Sequence, residues 1–241
     1  MRKLTTKEAV DNAVRVLLNS GQETYTNKWQ AQEVGDPLIE VTDMFLSMGM
    51  ERSQDLLGFA TGADLPWAED HFQERLTGPS NPGKTYLYWP YAREYDKFLQ
   101  NGKFSHTYQE RFWPTGKGKG YRPGSWADVK EKLGDDLSSR QVFLSIWHPE
   151  DQLNKDVRVP CTIGYWFKVT NGVLNITYLI RSCDARRHFR NDVYMAQRLA
   201  QEMLLYLHSR GHSIILGTLS IWIGSFHCFQ SDIYALKKQV K

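Results

Sequence analysis

Pro160-Cys161 is followed, twenty residues after the cysteine, by Arg181-Ser182-Cys183-Asp184. Eight residues after Asp184 comes Asp192, the last residue of Phe189-Arg190-Asn191-Asp192. Gly224-Ser225-Phe226-His227 lies further on, and Ser138-Ser139-Arg140 lies upstream. These side chains include a nucleophile type, cations that suit anions, and hydrogen-bonding carboxylates and amides. A thiolate attacks, forked guanidinium donors pair bidentately with phosphate, and carboxylates or amides read the rest of the molecule. Each group alone has an ordinary explanation. A cysteine in a strand is usually core, and an Arg/Asp pair is usually a surface ion pair.

A second chemical signal is Gly78-Pro-Ser-Asn-Pro-Gly-Lys84-Thr85, which satisfies the phosphate-loop pattern G-x-x-x-x-G-K-[ST]. That chemistry needs a buried strand before the loop and a helix after it, so that backbone N–H groups hold the phosphates. Here HFQERLT reads as a charged helix and TYLYWP as an extended run ending at proline. A surface loop is therefore expected, with triphosphate hydrolysis through Lys84 as the alternative. Gly116-Lys-Gly-Lys-Gly120 reads as a solvated insertion. The glycosylation sequon Asn175-Ile-Thr177 falls within an expected strand.

The elements that must position these residues are clearest in the C-terminal half. Gln141–Trp147 is β-rich, and Ile163–Thr170 and Val173–Ile180 are strands joined by Asn171-Gly172. Asn-Gly between two such runs marks a tight hairpin, because both central residues take positive φ. Asp192–Ser209 reads as an amphipathic helix with Val193, Leu199, Met203 and Leu207 inward, stopped at Gly211. Ile214–Ile223 is a further strand and Asp232–Lys238 a closing helix. In the N-terminal half, Thr6–Leu18 reads as a helix and Pro37–Met44 as a strand. Signals from Leu46 to about Gly124 are mixed, with helical stretches near Ala68–Leu76 and Tyr91–Leu99. Ser125 caps a short helix through Leu133.

With no repeat or linker, the 241 residues read as one α+β domain with a substantial core. A net charge of +3 implies neither nucleic acid nor membrane as a partner, but leaves arginine for a phosphorylated small molecule. Cys161, Cys183 and Cys228 cannot all pair, and no metal-binding spacing occurs, which fits a reduced cytoplasmic setting (a host cytoplasm if the chain is phage-encoded). The start, MRKLTTKEAV, lacks an apolar signal segment. Ser213–Phe229 is too interrupted for a membrane span.

Taken together, in this order and spacing, the groups from Ser138 to Lys238 resemble the thymidylate synthase family. The register from Pro160-Cys161 to Asp184 is kept without a gap, and Tyr108-x-x-x-x-Trp113 extends the likeness upstream. The resemblance implies a mixed, twisted β-sheet with flanking helices, dimerising through the sheet. It implies transfer of a one-carbon unit from 5,10-methylenetetrahydrofolate to C5 of a pyrimidine nucleoside monophosphate. Cys161 holds the nucleophile position: a thiolate adding at C6 makes C5 enamine-like, and nearby arginines would favour that thiolate. Arg181 and Ser182 would bind phosphate within the subunit, and Arg140 would reach it from the partner of a homodimer. Asp184 would contact the pterin and His227 the sugar hydroxyl. Tyr108 would order water near the base. Glu74, with Glu69 as alternate, would assist proton transfer.

Base choice falls to Asp192, where the synthase has asparagine. An aspartate accepts from N4 of cytosine and favours a protonated N3, whereas Asn191, the adjacent candidate, would suit uracil. Cys161-Thr162, Phe-Arg-Asn-Asp and Gly-Ser-x-His lean toward the branch that hydroxymethylates deoxycytidylate. A C5 methyltransferase acting on dCMP or dUMP and an inactive nucleotide-binding homologue are the alternatives. The chain departs from the family at Gln141, leaving Lys28 as a further phosphate ligand, and at Phe229, which leaves the sugar open. His188 would crowd the folate, Arg186 and Arg187 could bind an anionic tail, and the family's closing C-terminal segment is not found.

Overall fold

The computed structural model describes residues 3–25, 37–114, 124–153 and 157–240. Lys28 and the loop Gly116–Gly120 lie outside the described residues. Eight α-helices and six strands are described: α1 (Thr6–Ser20), β1 (Gln22–Thr24), β2 (Leu38–Gly49), α2 (Gln54–Thr61), α3 (Trp67–Thr77), α4 (Ala92–Tyr95), α5 (Tyr108–Phe112), α6 (Trp126–Asp135), β3 (Phe143–Ser145), β4 (Thr162–Thr170), β5 (Val173–Asp184), α7 (Phe189–Ser209), β6 (Ile215–Phe229) and α8 (Ile233–Gln239). The fold is α+β, as expected.

The strands form one mixed sheet in the order β1-β2-β6-β5-β4-β3. Asn171 and Gly172 take φ of 50° and 73°, closing the β4–β5 hairpin as its sequence requires. β5 and β6 run parallel, so the chain must cross over between them, and α7 makes that crossing. Val193, Leu199, Met203 and Leu207 of α7 are buried, each stabilising by roughly 2 kcal/mol. The parallel register sets Ser182 opposite Ser225 and Asp184 opposite His227, so two groups 43 residues apart in sequence end at one level of the sheet.

Several boundaries differ from the sequence reading. α7 begins at Phe189 rather than Asp192, which puts Asn191 and Asp192 in its first turn. β2 and β6 extend to Gly49 and Phe229 because they pair with each other along their length. α2 has no counterpart in the sequence reading. The expected helix over Tyr91–Leu99 divides into α4 and a 3₁₀ turn, Asp96–Phe98.

The sheet face opposite α7 leaves Phe45 75% exposed and Trp166, Leu179 and Trp222 half-buried. Arg140 is exposed beside it, its carbonyl accepting from Trp166 Nε1 at 3.1 Å.

Arg187 corrects one expectation. It is buried, pairs through Nε with Glu94 at 2.7 Å and through Nη1 with Asp184 at 3.1 Å, and also bonds Asp232. Three carboxylates already neutralise it, so it is a tie between α4, β5 and the approach to α8, not an anion receptor. Arg187→Ala would leave carboxylates facing one another with no cation. We expect a loss of about 3 kcal/mol, a Tm lower by roughly 10 °C, measured by thermal unfolding.

Candidate active site

One cavity opens between the ends of β5 and α7, the buried side of α3, and the irregular segments at 83–109 and 157–161. Its walls carry Cys161, Ser182, Asp184, Asn191 and Asp192, with Glu74 and Tyr108 opposite. Ligand sites at the carboxyl ends of parallel strands are common because strand ends and helix starts leave unpaired groups there. Cys161 is half-buried and free, just before β4, and its carbonyl accepts from the Arg181 amide at 2.9 Å.

Asp192 and Asn191 are separated in role by one helical step. Asn191 is committed: its Nδ2 donates to Asp64 Oδ2 at 2.9 Å and to the Arg187 carbonyl at 3.3 Å, and its Oδ1 accepts from the Asp64 amide at 2.8 Å. Among the described residues the Asp192 side chain meets only a weak thiol donor, Cys183 Sγ at 3.7 Å from Oδ2. Burial pushes Asp192 up to about 7, against the opposing field of Arg75 and the Cys183 bond. It is thus poised to change charge near neutrality.

Tyr108 is the hub of this end. Its hydroxyl accepts from the Thr162 amide at 3.4 Å and from Thr162 Oγ1 at 3.2 Å, one residue beyond Cys161. Burial raises its pKa, and both Cys161 and Asp192 add to the rise.

Glu74, not the alternate Glu69, reaches the cavity. Glu69 is turned to α7, where it accepts from Arg198 Nε at 2.9 Å and Tyr194 at 2.8 Å. Glu74 accepts from the Lys84 amide, the Thr85 hydroxyl and Gln109 Nε2, with His71 Nδ1 3.8 Å away. Burial pushes Glu74 up, but these donors outweigh it and hold the carboxylate down at about 2. Gly83 permits the arrangement, since a Cβ there would stand 2.2 Å from Glu74 Oε2. The phosphate-loop pattern therefore has another cause. It follows α3 and leads into a 3₁₀ turn, Lys84–Tyr88, and its glycine serves close packing against Glu74.

An aromatic wall completes the cavity. Trp67 stacks on His71 and on Trp89 at centroid separations of 4.9 and 5.4 Å. His188 lies 5.3 Å from Trp89, and its Nε2 shares a 2.6 Å hydrogen bond with Tyr95 Oη. Burial lowers His188 to about 4, so the ring is neutral at pH 7. It is packed into the cavity wall beside Trp89.

Three expected residues are not on the cavity wall. Arg140 is on the open sheet face. Arg181 is exposed and braces the main chain before Cys161, donating to Pro160 O at 3.1 Å and Val159 O at 3.3 Å. His227 is buried, with Nδ1 3.2 Å from Ser225 Oγ and Nε2 unpartnered.

Two wall residues escaped the sequence reading. Arg158 lies over Phe98 and Tyr95 at 4.4 and 4.8 Å. Arg75 is 4% exposed, with its guanidinium 4.4 Å from the Tyr108 ring. Its signal was available: Ala68, Phe72 and Arg75 follow i, i+4, i+7, which sets a charge on the buried stripe of a helix.

Comparison with known proteins gives one family. The thymidylate synthase family profile matches residues 83–241. The bifunctional dihydrofolate reductase-thymidylate synthases of Paramecium tetraurelia and Zea mays are each 27% identical, over 47% and 52% of this chain and 23% and 22% of their own. The thymidylate synthase of Listeria monocytogenes serotype 4a (strain HCC23) is 26% identical over 62% of this chain and 49% of its own length. The chain thus spans about half or less of the curated relatives it matches.

Proposed function

The chain belongs to the thymidylate synthase family, and from that premise we propose that it transfers a one-carbon unit to C5 of a cytidylate, giving the 5-hydroxymethyl product. The observation that carries this reading is the convergence of Cys161, Asp192 and Tyr108 on one cavity while Asn191 is consumed by Asp64. Asp192 is then the group free to meet the base. A carboxylate accepts from the N4 amino group of cytosine, and uracil would set a carbonyl oxygen against it.

In this reading Cys161 Sγ adds at C6, which raises electron density at C5. Ser182, on the cavity wall, binds phosphate, and Arg181, the residue before it, contributes the donors it does not spend on the chain at 159–160. Arg140 of a second copy completes that end, a homodimer supported by the apolar sheet face beside Arg140. The unpartnered His227 Nε2 binds the sugar hydroxyl. Glu74, fixed as an anion, and Tyr108 orient water beside the base.

The residues present fit a reduced folate. Trp67, Trp89 and His188 line the cavity as a packed aromatic wall, and Asp184 stands on the cavity wall. Bound 5,10-methylenetetrahydrofolate supplies the one-carbon unit at the oxidation level of formaldehyde. Asp184 has spent part of its capacity, since Oδ1 accepts from the Arg186 and Arg187 amides and Oδ2 from Arg187, so its cofactor contact is limited to the remaining lone pair of Oδ2.

The test is mass spectrometry of products from dCMP, CMP, dUMP and UMP incubated with enzyme and 5,10-methylenetetrahydrofolate. We expect a hydroxymethylated cytidylate. A methylated product, one oxygen atom lighter, would support the methyltransferase instead, and an unmodified panel would overturn the enzymatic reading.

A further inference from the structure

Among the described residues Arg75 is a cation without an acceptor. It is 4% exposed, its Nε is buried with no hydrogen-bond partner, and no carboxylate among the described residues pairs with it. A guanidinium cannot shed its proton in a protein, and burying one unpaired is costly. Arg75 lines the cavity, so its unspent donors are available to an acceptor that enters there.

Its position fixes what that acceptor is. The guanidinium carbon lies 4.4 Å from the centroid of the Tyr108 ring, and no hydrogen bond of the guanidinium to another described residue is found. Its field reaches Asp192, Tyr108, Tyr165 and His71. Tyr108 also feels Cys161 and Asp192. Arg75 therefore belongs to the end of the cavity that holds the nucleophile and Asp192. Arg181, by contrast, is exposed and bonded to the chain at 159–160.

We propose that Arg75 is a catalytic residue that donates a hydrogen bond to N3 of neutral cytosine while Asp192 accepts from the neighbouring N4 amino group. The inference rests on the cytidylate reading above and deepens it. Neutral cytosine presents a donor at N4 beside an acceptor at N3, and Asp192 with Arg75 presents the complementary acceptor beside a donor. As the bond from Cys161 Sγ to C6 forms, the C5–C6 π pair shifts to C5–C4 and the C4–N3 π pair moves onto N3. The negative charge develops where Arg75 donates, so the contact is stronger in the transition state than in the bound ground state. The guanidinium keeps its protons throughout. This replaces the protonated N3 of the sequence reading, which a buried fixed cation would oppose.

The experiment compares equilibrium binding of dCMP and 3-deaza-dCMP, in which N3 becomes a C–H, to the wild-type protein and to Arg75→Met. Wild type is expected to hold dCMP about tenfold or more tighter, the usual weight of a hydrogen bond to a charged group. In Arg75→Met the ratio should fall to about one, or in Arg75→Leu should the methionine variant fail a thermal-unfolding check. A merely structural arginine would weaken both ligands alike and leave the ratio standing, which would overturn the proposal. Equal binding of the two ligands by wild type would overturn it without any variant. Wild type that binds dUMP in place of dCMP would bring down the cytidylate reading and the N3 contact with it. Tight dCMP binding with a ratio of one removes Arg75 alone.

Discussion

Replacing Cys161 with serine is expected to lower tritium release from C5 of labelled dCMP by about 10⁴-fold or more, in the presence of 5,10-methylenetetrahydrofolate. The size of the effect follows from what the thiol does. The pyrimidine C5 is a poor nucleophile until C6 is attacked, so without that addition the C5 hydrogen does not leave. A serine hydroxyl in the same place has neither the acidity nor the nucleophilicity of sulfur. The substitution is nearly isosteric and falls on a half-buried residue ahead of β4, so the fold should be untouched. Nucleotide binding should therefore persist while release stops. Release that continues in the serine variant would mean that Cys161 is not the nucleophile.

The parts of this site that were legible in sequence are those fixed by short-range rules. Asn171-Gly172 dictates the hairpin that begins just after Cys161 and leads to Arg181-Ser182, because Asn-Gly readily takes the two positive φ values of a turn whose twist matches the strands. The periodicity of α7 dictates which of its residues face the sheet. Asp192 against Asn191 is a finer matter. One helical step rotates a side chain by about 100°, and only the structure reveals that Asn191 is spent on the Asp64 loop. The opposite wall was hardly legible. Glu69 and Glu74 lie on the same helix with similar sequence surroundings. What separates them is that Arg198 of α7 claims one and the Lys84–Thr85 backbone turn claims the other. Both are tertiary partners more than nine residues away, beyond the reach of local pattern. Arg187 shows the converse: its adjacency to Arg186 suggested an anion site, yet three distant carboxylates already hold it.

Asp192→Asn is expected to erode the choice of base, shifting the ratio of kcat/KM for dCMP over dUMP by about 10²-fold toward dUMP, short of full reversal because Arg75 still presents a donor to the N3–H of uracil. Asparagine offers a donor where cytosine presents its own amino group, leaving two buried donors face to face, whereas uracil presents an oxygen there. The variant also carries a pH signature. In the wild type, burial sets Asp192 at about 7, so kcat/KM for dCMP should fall as pH drops below 7 and the carboxyl ceases to be a pure acceptor. The asparagine variant should lose that limb on dUMP. Stability moves the other way. The folded value, about 7, lies above the ordinary unfolded value near 3.9, so between the two the native state holds a proton that the unfolded chain has released. That contribution to stability is full below about pH 4 and is lost as pH rises through 7. Urea unfolding of the ligand-free proteins should thus find the asparagine variant more stable than wild type at pH 8, by at most about 4 kcal/mol for a shift of roughly three units, with the advantage shrinking toward pH 4. An advantage that stays constant with pH would mean that Asp192 titrates as an ordinary carboxyl. The carboxylate would then not be the strained acceptor that cytosine relieves.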